Sequence, residues 1–114
     1  MRLGSWRTAV GEFELLVLLS ILRNKDRPYA NRVREELETL AERRVTRGAL
    51  YRSLDRLHEK GFVSWELQPS AVPERGGHPM RKLSLTPKGQ AAVRSSGRVL
   101  MRFLDGVVSM PSRR

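Results

Sequence analysis

Cysteine is absent from this chain of 114 residues, which removes disulfide frameworks, cysteine-ligated zinc, iron–sulfur clusters and thiol nucleophiles together. Histidine is nearly as scarce. His58 and His78 are the only two, and neither belongs to a His-Glu-x-x-His arrangement, so zinc has no ligand set to bind. Neither a Walker phosphate loop nor a Gly-x-Ser-x-Gly elbow occurs, and Gly76-Gly77 is an isolated pair in a turn rather than a phosphate cradle. These absences argue against an enzyme, and no cofactor or metal is expected. Long hydrophobic runs are missing as well. The longest, Leu15 to Leu22, is interrupted by Ser20 and falls far short of the ~20 residues a membrane span needs. Glu12 and Glu14 before it and Arg23, Asn24 and Lys25 after it are the wrong flanks for a secretory signal. No membrane partner is expected, and a cytoplasmic address fits.

Positive charge is what the chain has in excess: 22 Lys and Arg against 12 Asp and Glu, a net +10. The excess is clustered, with +3 in residues 42–61, +3 in 68–89 and +4 in 90–114. Clustered cations suit a polyanion, because each one placed near a phosphate releases condensed counterions. Charge alone leaves nucleic acid, acidic lipid and an acidic protein partner open. The apolar fraction of 39%, or about 47% once the nine glycines are added, is that of a folding domain. A single domain is expected, short enough for a partner chain to help bury its apolar surface.

After a basic arm at residues 1–9, Glu12 and Glu14 sit in the first turn of an apolar helix running to about Asn24, where acids are favourable against the helix dipole. Asn24 to Pro28 reads as a turn, with proline opening a second helix that runs to about Ala41 and buries Val33, Leu37 and Leu40. Thr46 caps a third helix that Gly61 ends, with Leu50, Leu54 and Leu57 as its core stripe. At about 100° per residue, Gly48, Arg52 and Arg56 project roughly 160°, 200° and 240° from Leu50, giving this helix a cationic outer face. Asp55 and Glu59 share that face in its C-terminal half, so only the N-terminal half approaches phosphate without repulsion, as a recognition helix does. The period then changes to two. Val63, Trp65 and Leu67 alternate with polar residues, as do Leu83 and Leu85. Between these strands, Gln68 to Pro79 forms a long basic loop. Thr86-Pro87 starts a last helix of about twenty residues, roughly 30 Å long and longer than a small domain can cover.

The predicted fold is mainly α with a two-stranded β wing, a winged helix-turn-helix at residues 10–86 followed by a helix at 87–109 and a tail at 110–114. The economical way to cover the last helix is a two-fold dimer that buries Leu100, Phe103, Leu104, Val107 and Val93 with Phe13 and Leu16 of the first helix. The alternative is that it folds back on its own domain. Arg47 and Arg52 are suited to guanine edges or phosphate, and Arg75, His78, Arg81 and Lys82 on the wing to phosphate or the minor groove. Tyr51 is a candidate for half-burial against the second helix.

The run from Gly48-Ala49-Leu50-Tyr51-Arg52 to Gly61-Phe62-Val63, with Trp65, Gly76-Gly77 and Leu85-Thr86-Pro87-Lys88-Gly89, resembles the PadR family of bacterial transcription regulators over about residues 10–108. Its single C-terminal helix is similar to the short subfamily. The resemblance implies a homodimer, commonly a repressor, bound to a roughly palindromic promoter element, with Thr46, Ala49, Leu50 and Tyr51 matching the family's recognition stretch and Thr46 and Tyr51 touching DNA. It also implies a pocket for flat aromatic molecules at the dimer centre, for which Trp6, Phe13 and Phe103 are candidates, with plain packing as their alternative role. Trp65 is structural in the family pattern. Three positions depart from it. Tyr29-Ala30-Asn31 replaces Tyr-Gly-Tyr, leaving Tyr29 and Asn31 as the phosphate contacts; His58 stands where glutamate is usual; Lys82-Leu83 replaces two adjacent aromatics. Two other functions fit the same residues, a module whose basic face meets an acidic protein and an architectural DNA binder without base preference.

Overall fold

The computed structural model describes residues 10–69 and 80–108. Helices α1 (Glu12–Arg23), α2 (Ala30–Ala41) and α3 (Arg47–Glu59) precede strands β1 (Val63–Gln68) and β2 (Met80–Leu85), and α4 (Pro87–Leu104) follows. The strands pair antiparallel, Val63 opposite Leu85 and Gln68 opposite Met80. This is the predicted mainly helical winged architecture. Among the described residues no helix is long and apolar enough to cross a membrane.

The first three helices and the wing send apolar side chains into one core: Val17, Leu18 and Ile21 from α1, Val33 and Leu37 from α2, Leu50, Leu54 and Leu57 from α3, and Phe62, Val63 and Leu83 from the base of the wing. The α3 stripe is the expected one. The α2 stripe is shifted one turn towards its N-terminus, so that Ala30 is buried and Leu40 remains 59% exposed. Leu40 instead lines a shallow apolar groove between α1 and α2 with Leu16, Leu19, Leu37 and Ala41.

Proline does not open α2. Tyr29 is extended, and it and Pro28 serve the wing: Leu83 N–H donates to the Pro28 carbonyl (2.7 Å), and Tyr29 forms a β-bridge with Lys82. The helix begins only at Ala30 because sheet pairing has claimed the backbone before it.

Carboxylates join the helices. Glu36 of α2 accepts from Ser20 Oγ (2.7 Å), Asn24 Nδ2 (2.9 Å) and Arg23 Nε (3.2 Å) at the end of α1. Glu14 of α1, itself buried, accepts from Lys60 Nζ (2.9 Å) and Arg56 Nε (3.5 Å) at the end of α3. Burial raises the affinity of both carboxyls for protons. For Glu14 the hydrogen bond and charge of Lys60, a backbone bond at Gly11 and Arg56 outweigh it, and for Glu36 the bonds from Ser20, Arg23 and Asn24 with the Arg23 charge do so. Both carboxyls are therefore held below their ordinary range and are ionised at neutral pH.

The start of α4 is locked to the start of the wing. Thr86 Oγ1 accepts from Gly89 N–H (3.0 Å) and donates to the Gly61 carbonyl, while Thr86 N–H donates to the Phe62 carbonyl (3.0 Å). Gly61, at φ +81°, makes the turn that presents those carbonyls. Gly89 lies so close beneath it that a Cβ there would fall 2.1 Å from the Phe62 carbonyl oxygen. That neighbour is backbone and cannot swing aside, so Gly89→Ala forces α4 off the wing base. Thermal unfolding should show a loss of about 3 kcal/mol, or about 12 °C in Tm for a chain of this size; a Tm within 2 °C of wild type would contradict the contact.

Only Gly89 is fully buried in α4. Ala92 and Val93 pack on the core of their own domain, but beyond them Leu100 is 50% exposed and Phe103 and Val107 are each 78% exposed. The C-terminal half of the helix does not fold back on its own domain.

Candidate nucleic-acid interface

Thr46 is the cap that its position predicts. Its Oγ1 accepts from Ala49 N–H (3.1 Å), which leaves the hydroxyl proton free to donate outward. No acid lies in the first turn of α3, so the partial positive charge of the helix N-terminus adds to the side-chain cations there. Arg47 and Arg52 are exposed, Ala49 is half-buried and Leu50 faces the core. The Arg52 guanidinium lies back over Gly48, where a Cβ would meet its Nη1 at 3.3 Å. The Arg47 guanidinium sits 5.4 Å from the centre of the Tyr51 ring.

Tyr51 is half-buried and packs against the core. Its ring also meets Arg81 from the wing, whose guanidinium carbon is 4.5 Å from the Tyr51 centroid and 4.4 Å from that of Trp65. Arg81 Nη1 donates to Asp55 Oδ1 on α3 at 3.4 Å. The His58 imidazole also lies 4.8 Å from the Trp65 indole, centre to centre. Lys82, next along the strand, is exposed and pairs across the ladder with Glu66.

The fold thus gathers Thr46, Arg47, Tyr51, Arg52 and Arg81 around the N-terminal half of α3 and the adjoining wing. Tyr29 joins the wing from α2: its hydroxyl donates to Gln68 Oε1 (3.0 Å). Asn31, in the first turn of α2, is exposed. Arg75 and His78, expected on the wing, lie outside the described residues, as does Trp6.

The model of the transcriptional regulator PadR-like family matches residues 18–95, from within α1 through the helix-turn-helix and wing into α4. The chain belongs to the PadR-like family. Among solved structures, a PadR-like transcription factor from Bacteroides fragilis is 25% identical, with a TM-score of 0.65 over 92% of this chain and 96% of the other. RosR of H. salinarum is 23% identical, with a TM-score of 0.64 over 87% and 81%. A complex structure of RosR-S4 is 24% identical, with a TM-score of 0.62 over 87% and 77%. These two share the fold. No curated protein matches the chain.

In this PadR-like regulator the sequence pattern missed the partners of Arg81. Asp55 was legible only as an acid on the outer face of α3, and Trp65 only as a residue of the wing. Strand parity carried the missing signal. Arg81 lies two and four residues before Leu83 and Leu85, which puts it on the helix-facing side of the sheet. The expected effector aromatics are not gathered among the described residues into a pocket of one protomer. Phe13 packs on the core beneath the Arg43 guanidinium, 5.2 Å from its ring centre, and Phe103 is open.

Proposed function

We propose that this DNA-binding transcriptional regulator acts as a homodimeric repressor on an inverted-repeat promoter element. The observation that carries the DNA reading is the exposed, acid-free start of α3, where Thr46 and Arg47 open the helix and Arg52, in its second turn, projects away from the buried Leu50, Leu54 and Leu57. Residues 10–86 read DNA in this proposal, with Lys82, Arg75 and His78 of the wing and Tyr29 and Asn31 beside it reaching phosphate. Residues 87–109 make the dimer, supported by the apolar end of α4 left open by a single chain. Leu16 and Leu104 join that interface. Release follows the binding of a small flat aromatic molecule at the dimer centre, where Phe103, Phe13 and Trp6 of the two copies meet.

The test is to mix the purified protein with sheared DNA from its own source at roughly physiological salt, then recover and sequence the bound fragments. Nonspecific binding is largely screened there. Enrichment of a short inverted repeat is expected, its half-sites centred about 10 base pairs apart or a multiple of that, as two recognition helices one DNA turn (~34 Å) apart require. Uniform recovery would mean an architectural binder. Recovery of nothing would turn the basic face over to an acidic protein partner.

A further inference from the structure

We infer that Arg81 is a positioning residue, a planar cation held by the rings of Tyr51 and Trp65 and by Asp55, which sets the angle of the wing against α3 instead of contacting DNA. The inference rests on the DNA-binding reading and adds to it the part that fixes the geometry of the reading surface.

The ladder puts Arg81 opposite Leu67, Leu83 opposite Trp65 and Leu85 opposite Val63. Side chains alternate along a strand, so Arg81 shares the helix-facing side with the buried Leu83, while Lys82 and Ser84 take the other side. A cation on an inward face needs partners to replace water. Trp65 is a diagonal cross-strand neighbour within reach of a long side chain, and Tyr51 and Asp55 stand one helical turn apart on α3, both facing the wing. The guanidinium meets all three, at 4.4 and 4.5 Å from the ring centroids and 3.4 Å from the carboxylate. The Arg81 side chain is only 24% exposed against 61% for Asp55.

This placement decides between two roles for one basic residue. A phosphate contact presents its charge to solvent, as Arg47, Arg52 and Lys82 do. Arg81 has spent its charge on Asp55 and its flat faces on aromatic rings. The pairing acts on α3 too, because it compensates an acid on the outer face of the helix that would otherwise repel phosphate. The base of the wing is held by Phe62, Val63 and Leu83 in the core, and Tyr29 ties the wing to α2. Arg81, second residue of β2, ties its outer half to α3.

Guanidinium stacks where ammonium does not, so the test uses Arg81→Lys, which keeps the charge, alongside Arg81→Ala, Trp65→Leu and the Arg81→Lys/Trp65→Leu double variant. Each single variant is expected to weaken binding to the selected inverted repeat about tenfold. The double variant should be no worse than the weaker single, because all break one device. Losses that multiply in the double variant, or wild-type affinity in Arg81→Lys, would overturn the inference. A second readout needs no DNA. In a Trp6→Phe background Trp65 is the sole tryptophan, and acrylamide should quench its fluorescence about twice as strongly in Arg81→Lys and Arg81→Ala as in the parent. Unchanged quenching would overturn the clamp even if the affinities fell. Should the parent protein show no preferred DNA, the functional reading fails while the quenching still decides whether Arg81 holds the wing.

Discussion

Leu100→Glu combined with Phe103→Glu is expected to convert the protein to a folded monomer. Leu100 and Phe103, three residues apart, share one face at the end of α4, and Val107 lies past the helix, beyond the turn at Gly106. Phe103 alone keeps 78% of its surface open in a single chain, and full burial of such a side chain contributes about 1.5–3 kcal/mol. In a two-fold interface every substitution occurs twice, so the double variant places four carboxylates where four apolar side chains would meet. Removing that burial and adding uncompensated charge should weaken the dimer at least about 10³-fold, or ~4 kcal/mol. The protomer core is untouched, because α4 anchors itself through Gly89, Ala92 and Val93 at its other end. Light scattering across a concentration series reads the mass, and circular dichroism confirms that the helices remain. A dimer persisting at low micromolar concentration would remove α4 from the interface. Affinity for the inverted repeat should fall with dimerisation, since the two half-sites are then bound in separate events.

Features encoded within one turn or one strand were readable in advance, and features made by distant pairing were not. The cap at Thr46 and the stripe of Leu50, Leu54 and Leu57 depend on neighbours three to seven residues away, and the structure contains both. The cap at Thr86 is of the same kind. Leu40 shows the limit. Its helical spacing is right for a core stripe, yet whether a residue at the end of an amphipathic helix is covered depends on the reach of its neighbour, and here α1 leaves it in an open groove. Pro28 shows another. Local rules place it at a helix start, but the backbone of Leu83, more than fifty residues on, draws Pro28 and Tyr29 into the wing's ladder. The basic surface was legible as composition and helical angle, and Arg47 and Arg52 do stand exposed on α3. What charge counting cannot separate is a cation facing solvent from one already satisfied, and Arg81 is of the second kind.

Arg47→Ala together with Arg52→Ala should weaken binding to the preferred DNA by about 10²–10³-fold and leave dimer and fold intact. Both guanidiniums lie outside the core, so their removal opens no cavity. Each is nevertheless partly ordered before DNA arrives, Arg47 against the Tyr51 ring and Arg52 over Gly48, and order present beforehand is not lost on binding. A good bidentate contact to a guanine edge carries about 1–3 kcal/mol of discrimination, so losing two accounts for the expected range. The single variants separate the two roles a cation can have here. An arginine reading a base loses affinity for the preferred sequence far more than for random DNA. One that holds phosphate weakens both alike, and lowers the slope of log affinity against log salt by about one. Fluorescence anisotropy on both DNAs at three salt concentrations distinguishes these outcomes. Unchanged affinity and slope in the double variant would mean that the N-terminal half of α3 does not face DNA, and would move the reading surface to the wing.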